Sequence, residues 1–445
     1  MGNNQTKPNR RKQLAAKKRA RKRQRQMIIA IVSIVCIALI GVFFINAFKK
    51  EHQSSSSNSA NASSVAQTEP TTKAKDPDVT IDVMMIGDML MHETVIKNGL
   101  QADGSYNFDN LFENISSDIQ SSDIRIVNQE TILGGTELGT SGYPAFNSPQ
   151  ELGDAEAKAG FNVVCHATNH AIDRAYRAVD NTIQFWREKH PEMAVLGIHD
   201  SEEDAQNIYV YEKQGFKVAI LNYTYGTNGI PVPSSAPYCV DLMDDEHEAK
   251  VRSDIQKAHT LADMVIVCPH WGTEYVYRPT DFQKYWTDLF LEEGVDVVIG
   301  THPHVLESMD DLVSEDGHRM LVYYSLGNFV SDQDEIPRML GGMAKVRLKK
   351  SDGKTSIESY SIEPVVTHKR YETGAMTTYK LSDYNDTLAS QNKIHAAGSS
   401  CYTAQFKWCL CGADQIGVST HGANNFSVDY CQKLSKYILG DYYNY

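Results

Sequence analysis

Positive charge is scarce in this 445-residue chain beyond its first fifty residues. Of 43 Lys and Arg, eleven lie in residues 1–26, which hold no acid, and Lys49 and Lys50 follow. The other 30 face all 56 Asp and Glu, a net of −26 over residues 51–445. A body that acidic excludes general nucleic-acid binding, which needs a positive face for phosphates. A Gly-x-x-x-x-Gly-Lys-[Ser/Thr] phosphate loop is also missing, so ATP-driven chemistry through such a loop is excluded. There is no internal repeat. What is present is 41% apolar and 22% charged residues, which allows a sizeable core and excludes wholesale disorder. The length suits two or three domains.

Met27 to Phe48 is an uncharged apolar run, long enough as a helix to span a hydrocarbon core of about 30 Å. The basic blocks before it predict a cytoplasmic N-terminus and an extracellular body, with the run as a signal anchor in the lipid bilayer. A cleaved signal peptide is the other reading. The run exceeds the usual h-region of about 7–15 residues, and no clear small-x-small site follows Phe48. The Ser-, Asn- and Ala-rich stretch after it reads as a flexible tether. The predicted organisation is a basic tail 1–26, a membrane segment 27–48, a tether 49–78, a body 79–368 and an accessory segment 369–445.

Eight cysteines are present. Cys36 lies in the membrane run, and Cys165 and Cys268 sit in apolar strand-like runs, where buried thiols are common. Cys239 is isolated. Cys401, Cys409, Cys411 and Cys431 crowd the C-terminus, where disulfides of undetermined pairing, a zinc site and reduced thiols are the alternatives.

From Val79 short apolar runs alternate with helical patterns, which predicts an α/β body. The runs share one property: each ends in polar residues. Ile81–Ile86 leads to Asp88, Ile124–Val127 to Glu130, Asn162–Cys165 to Asn169 and His170, Met264–Cys268 to His270, and Val295–Gly300 to His302 and His304. A sixth, Leu321–Tyr324, runs into Ser325-Leu326-Gly327-Asn328. In α/β sheets ligands bind outside the carboxyl ends of strands. Two carboxylates, a carboxamide and several imidazoles form a ligand set for two divalent ions. Any one such strand end is commonplace; five in one chain point to a shared pocket. In His302-Pro303-His304, residues i and i+2 of an extended segment face one side, and Pro303 biases His302 toward that conformation. His170, beside Asn169, is a candidate general acid for a leaving oxygen.

In the order GDMLMH, NQE, ATNHAID, CPHWGTEY, GTHPHV and YYSLGNF, these motifs resemble the capsule-synthesis CapA family. That family is associated with poly-γ-glutamate capsules and is related to calcineurin-like metallophosphoesterases. The resemblance covers roughly residues 80–340 and implies a four-layer αββα sandwich of the metallophosphoesterase type, here preceded by one N-terminal transmembrane helix. It implies two divalent metal ions (Mn, Fe or Zn). Asp88 and His304 would bind the first, Asn169, His270 and His302 the second, and Glu130 would bridge them, with His170 as the acid. His92 is an additional candidate whose spacing from Asp88 differs from the usual Asp-x-His. Asp173, Glu274 and Asn328 would support the ligands, Asp173 by orienting His170 and Glu274 by orienting His270. Thr168, the pair Cys165-His166 and the turn Gly197-Ile198-His199 depart from the family pattern and bear on the pocket wall.

Two functions follow from the resemblance, with a third left open. The first is a phosphoester hydrolase. The second is an external subunit of a membrane polyglutamate synthase complex, whose ATP-dependent ligation would belong to a cytoplasmic partner. The third is a non-catalytic polymer-binding scaffold. An anionic polymer or a phosphate-bearing substrate would meet a body at −26 only through metal ions or a local basic track.

Overall fold

Apolar runs such as IDVMMI, with few polar breaks, suit strands covered on both faces. The computed structural model describes residues 77–333, 336–370, 372–392 and 426–443. The chain divides into two units, Met1–Lys73 and Ala74–Tyr445, and every described residue belongs to the second. The basic tail, the apolar run 27–48, nearly all of the tether, and Cys401, Cys409 and Cys411 lie outside the described residues. Among the described residues no helix is long and apolar enough to cross a membrane.

Two sheets carry the body. The first contains β1 (Val79–Met89), β2 (Ile124–Asn128), β3 (Val163–Cys165), β4 (Ala194–Leu196), β11 (Asn328–Val330), β12 (Leu340–Ser351), β13 (Lys354–Lys369) and β14 (Met376–Lys380). Its order is β14-β13-β12-β1-β2-β3-β4, with β11 paired to the end of β1. The second contains β5 (Tyr209–Lys213), β6 (Phe216–Thr224), β7 (Met264–His270), β8 (Val297–Ile299), β9 (Met309–Val313) and β10 (Arg319–Tyr323), in the order β5-β6-β7-β8-β10-β9. β1 to β4 run parallel, as do β6, β7, β8 and β10, so the carboxyl ends in each sheet gather at one edge.

The period of two along the strands divides the core. Val79, Ile81, Val83 and Met85 of β1 pack in one cluster with Phe216, Val218 and Ile220 of β6, so the sheets meet face to face. The alternate residues Met84 and Ile86 pack outward on α1 (Glu93–Gly99), α2 (Ser116–Gln120), α3 (Glu151–Ala159) and α4 (Ala175–Lys189), through side chains such as Ile96, Ile119, Leu152 and Trp186. On the other side Ala219, Val265 and Val267 face α5 (Glu248–Leu261) and α6 (Asp281–Glu292). Four layers result, helices, sheet, sheet, helices. α6 starts at a capping box between Thr280 and Gln283 and is followed by Gly294 at φ 81°, the stop its sequence suggests.

Two features of the C-terminal part depart from expectation. The alternating segment after Gly341-Gly342 reads as a sheet edge, yet β12 lies between β1 and β13, and the edge strand is β14. Residues beyond 369 also enter the core. Ala389 of α7 (Asp386–Gln391) and Tyr430, Cys431 and Leu434 of α8 (Val428–Leu439) join the cluster between the sheets. Cys431 is a buried free thiol there.

The turn at Gly197-Ile198-His199 anchors the chain that leads from β6 to α5. His199 N donates to Cys239 O at 3.1 Å, and its ring nitrogens meet Asp241 at 2.7 Å and Asp204 at 3.3 Å. Burial disfavours charge on this imidazole, but the two carboxylates outweigh it and raise its pKa to about 9. The stabilisation is therefore complete below the ordinary histidine pKa and fades as pH climbs through about 9. Thermal melts from pH 6 to 10 should show His199→Gln with a lower Tm than the parent at neutral pH. The gap should narrow at the alkaline end; a gap independent of pH would contradict the charged clamp.

Candidate metal centre

Parallel strands deliver the acids and imidazoles to one edge, and the loops beyond them complete the pocket. Asp88 is the next-to-last residue of β1 and lies within β-pairing of both Asn128 and Asn328. The chain can approach so closely because Gly87 has no side chain: a Cβ there would sit 2.0 Å from Gly327 O. Asp88 Oδ1 accepts from Asn128 Nδ2 at 2.9 Å and from His302 N at 3.2 Å, and Oδ2 lies 3.0 Å from His304 Nδ1.

Glu130 stands at the middle. One of its oxygens, Oε1, lies 3.6 Å from His270 Nε2 and 3.6 Å from His304 Nε2. Two groups of potential ligand atoms result, Glu130 with His270 and His302, and Asp88 with Glu130 and His304, each within 4.8 Å. Asn169 Oδ1 adjoins the first group, 2.9 Å from His270 Nε2. All six side chains named as ligands from the sequence are thus gathered in one buried pocket.

The electrostatics suit a cation. Both Glu130 oxygens and His302 Nδ1 are buried without a hydrogen-bond partner, an arrangement that costs free energy unless something positive or polar meets it. Burial raises the Glu130 carboxyl well above the usual range. Burial and neighbouring imidazoles push His270 and His302 well below theirs, leaving the neutral rings that ligate metals. Burial opposes charge on His304 too, but Glu130 and Asp88 hold it at about 9, so the acids draw positive charge into the pocket. The donor set, carboxylate, carboxamide and imidazole, fits borderline-hard divalent ions.

His170 lies at the rim of the same pocket, with Nδ1 2.6 Å from Asp173 Oδ2. Asp173 also accepts from Phe146 N at 2.8 Å, and the Phe146 ring packs on His170 with centroids 4.6 Å apart. Asn228 spans the two neighbours: its Oδ1 accepts from Asn169 Nδ2 at 3.2 Å and its Nδ2 lies 3.4 Å from His170 Nδ1. His92 is close by but outside both groups. Its Nδ1 accepts from Asp332 N at 3.2 Å, and burial with His304 nearby lowers it to about 4.

Several sequence readings change. His302 and His304 are not extended: they take φ of 99° and 57°, beyond the short strand β8, and the imidazoles converge through this strained turn rather than through strand alternation. Glu274 is exposed, and the partner of His270 Nδ1 is Thr301 Oγ1 at 3.1 Å. Asn328 supports the pocket differently from Asp173: its Nδ2 donates to Ser331 Oγ, Gln333 Oε1 and the carbonyl of Arg338, beside the register position it shares with Asp88. Thr168 is a backbone tie, donating to Glu130 O at 2.6 Å. His166 points away from the ligands, taking the Trp186 indole N–H at 2.9 Å. Asn128, Thr301, Asn228 and Tyr225, whose ring centroid lies 4.6 Å from that of His302, carry no role in the sequence reading. Asn128 had a signal, its place two residues before Glu130, whereas Asn228 sits in GTNGIPVP, which reads only as a turn.

A model of the family described as "Bacterial capsule synthesis protein PGA_cap" matches residues 82–333. Over 188 residues the chain is 30% identical to the "Capsule biosynthesis protein CapA" of Bacillus anthracis, covering 42% of this chain and 44% of that protein. Over 193 residues it is 29% identical to the "PGA biosynthesis protein CapA" of Bacillus subtilis (strain 168), covering 43% and 48%. The chain thus spans less than half the length of the curated relatives it matches. Among solved structures, a calcineurin-like phosphoesterase from Bacillus subtilis aligns at a TM-score of 0.36 with 14% identity, over 65% of this chain and 91% of that one.

Proposed function

Because the chain belongs to the bacterial capsule synthesis protein family, we propose that it is a membrane-anchored, extracellular protein of capsule or cell-envelope polymer assembly with a metal-dependent phosphoester hydrolase site. The membrane part of the reading rests on residues 27–48 and the basic blocks before them. The polymer part rests on the family, whose relatives are described as capsule and PGA biosynthesis proteins. The chemical part rests above all on Glu130, a buried acid that belongs to both ligand groups and whose oxygens have no hydrogen-bond partner.

Asp88 and His304 would hold one divalent ion, Asn169, His270 and His302 a second, and Glu130 would face both. Such a pair of ions supplies the charge that acidifies a water and neutralises phosphoryl oxygens. The protein's own side chains do the rest. Asp173 accepts from His170 Nδ1 and fixes the ring, which leaves Nε2 as the atom that hands a proton to the leaving oxygen. Asn228 keeps Asn169 and His170 in register, and Phe146 shields the His170–Asp173 pair from water. Polymer ligation driven by ATP would fall to a cytoplasmic partner, so this chain would process or export the polymer from outside.

The full chain, purified in detergent, should carry divalent metal by elemental analysis and cleave phosphomonoester or phosphodiester test substrates. Asp88→Ala and His302→Ala should each lose metal and most of the activity. Parent-like metal content and hydrolysis in both variants would overturn the proposal, as would a metal-free, inactive parent. A neighbouring gene for an ATP-dependent ligase favours the polymer complex; its absence favours a free-standing hydrolase.

A further inference from the structure

Tyr225 meets all three residues proposed to bind the second ion alone, Asn169, His270 and His302, and it does so from one place in the fold. β6 and β7 run parallel with Thr224 opposite His270, and the ladder continues one residue further, where Tyr225 N donates to His270 O at 3.0 Å. That bond fixes Tyr225 just beyond the carboxyl end of β6, at the edge where the ligands gather. Its ring lies against the His302 imidazole, with centroids 4.6 Å apart and planes at 47°. Its hydroxyl donates to Asn228 Oδ1 at 3.5 Å, the same oxygen that accepts from Asn169 Nδ2 at 3.2 Å. Burial first, then Glu274 and Glu130, raises the phenol to about 12 against an opposing hydrogen bond from Asn169, so a neutral hydroxyl stands beside the ligands.

His302 depends on such a neighbour. A metal-bound imidazole is ordinarily oriented by a hydrogen bond at its other nitrogen. His270 Nδ1 has a partner in Thr301 Oγ1 at 3.1 Å, and His304 Nδ1 has one in Asp88 Oδ2 at 3.0 Å. His302 Nδ1 is buried without a hydrogen-bond partner, and rings border this imidazole instead, Tyr225 and, with centroids 4.8 Å apart, His270. The two ion positions also differ in charge. Asp88 and Glu130 both serve the first, whereas the second shares Glu130 and otherwise has the neutral donors His270, His302 and Asn169. Charge therefore contributes less to holding the second ion, and the orientation of its ligands contributes more.

We propose that Tyr225 is the positioning residue of the second ion: its ring sets the plane of His302, and its hydroxyl, with Asn228, sets the carboxamide of Asn169. Tyr225 does not itself ligate. It governs whether the site holds one ion or two. The inference rests on the two-ion phosphoester reading above and adds the residue that controls occupancy of the more weakly charged position.

The test uses the full chain in detergent, stripped of metal with a chelator and titrated with Mn by calorimetry. The parent should bind two Mn per chain in separable steps. Tyr225→Leu should weaken the second step by about ten- to hundredfold, the usual cost of losing such a support, and leave the first unchanged. Tyr225→Phe keeps the ring and should lose only part of that affinity. Electron paramagnetic resonance at two equivalents of Mn should show a coupled pair in the parent and a shift toward isolated Mn in Tyr225→Leu, a change that general loosening of the fold does not single out. Parent-like affinity in both steps for Tyr225→Leu, or an equal loss in both, would overturn the assignment. Melts of the metal-free proteins read folding separately. If Tyr225→Leu melts well below the parent, Tyr225→Phe decides: a selective loss at the second step supports the assignment and a parent-like second step overturns it. A parent that binds two Mn but hydrolyses no test phosphoester ends the phosphoesterase reading, while the titrations still decide the role of Tyr225. A parent that binds no Mn ends both.

Discussion

Glu130→Gln should leave the metal-free protein as stable as the parent or more so, and should abolish the stabilisation that divalent ions confer. The side chain is fully buried, its two oxygens have no hydrogen-bond partner, and burial raises its pKa well above the carboxylate range. Without metal, an amide of the same shape relieves a buried carboxyl that is disfavoured as a charge, and this offsets the lost attraction to His304. With metal the sign reverses. A ligand at a thousandfold its Kd stabilises a fold by about 4 kcal/mol, and Glu130 belongs to both ligand groups, so one substitution should remove that gain at both positions. Thermal melts with and without Mn or Zn read both effects. Asp88→Asn makes the contrast, because Asp88 already serves Asn128, His302 N and His304, and its loss should destabilise the metal-free protein as well. A Glu130→Gln protein that still gains stability with metal would remove the central support of the proposed function.

The second large effect concerns His170. Its replacement by Asn should keep the metal content and lower kcat by about 10²–10⁴ on an alkyl phosphate, the range of general acid–base catalysis. The loss should be much smaller on 4-nitrophenyl phosphate, whose leaving group departs without a proton. Asp173→Asn should show the same dependence on the leaving group at lower amplitude. It should also lower Tm, since Asp173 accepts from both His170 Nδ1 and Phe146 N. Equal losses on both substrates would assign His170 a structural task instead.

These outcomes were partly legible in the chain before any fold was known. Strand runs that end in Asp88, Glu130, Asn169, His270 and His302 can be read locally, because buried parallel strands are apolar throughout and polar residues mark where they stop. The four-layer arrangement was implied by the family resemblance and not by this strand pattern; in the fold, alternate residues of β1 serve two cores. Partners far apart along the chain were not legible. Thr301 replaces Glu274 as the partner of His270 because the bridge between β7 and the residue after Gly300 brings it there. Asn228 reaches Asn169 across 59 residues, from a loop whose Asn and Gly signal only a turn. The positive φ at His302 contradicts the preference of a residue before proline, so local sequence does not foretell it.

The amino-acid order alone settled which residue types are present and roughly where the apolar runs of β1, β2, β3, β7, β8 and β10 give way to polar residues. It also settled the strong asymmetry of charge between the first fifty residues and the rest. Periodicity and burial act over a few neighbours, so they are written into short segments. Tertiary structure decided which carboxylate is shared and which imidazole faces which acid. Those pairings join segments up to 216 residues apart, and only close packing of two sheets selects one set of partners from the many that composition permits.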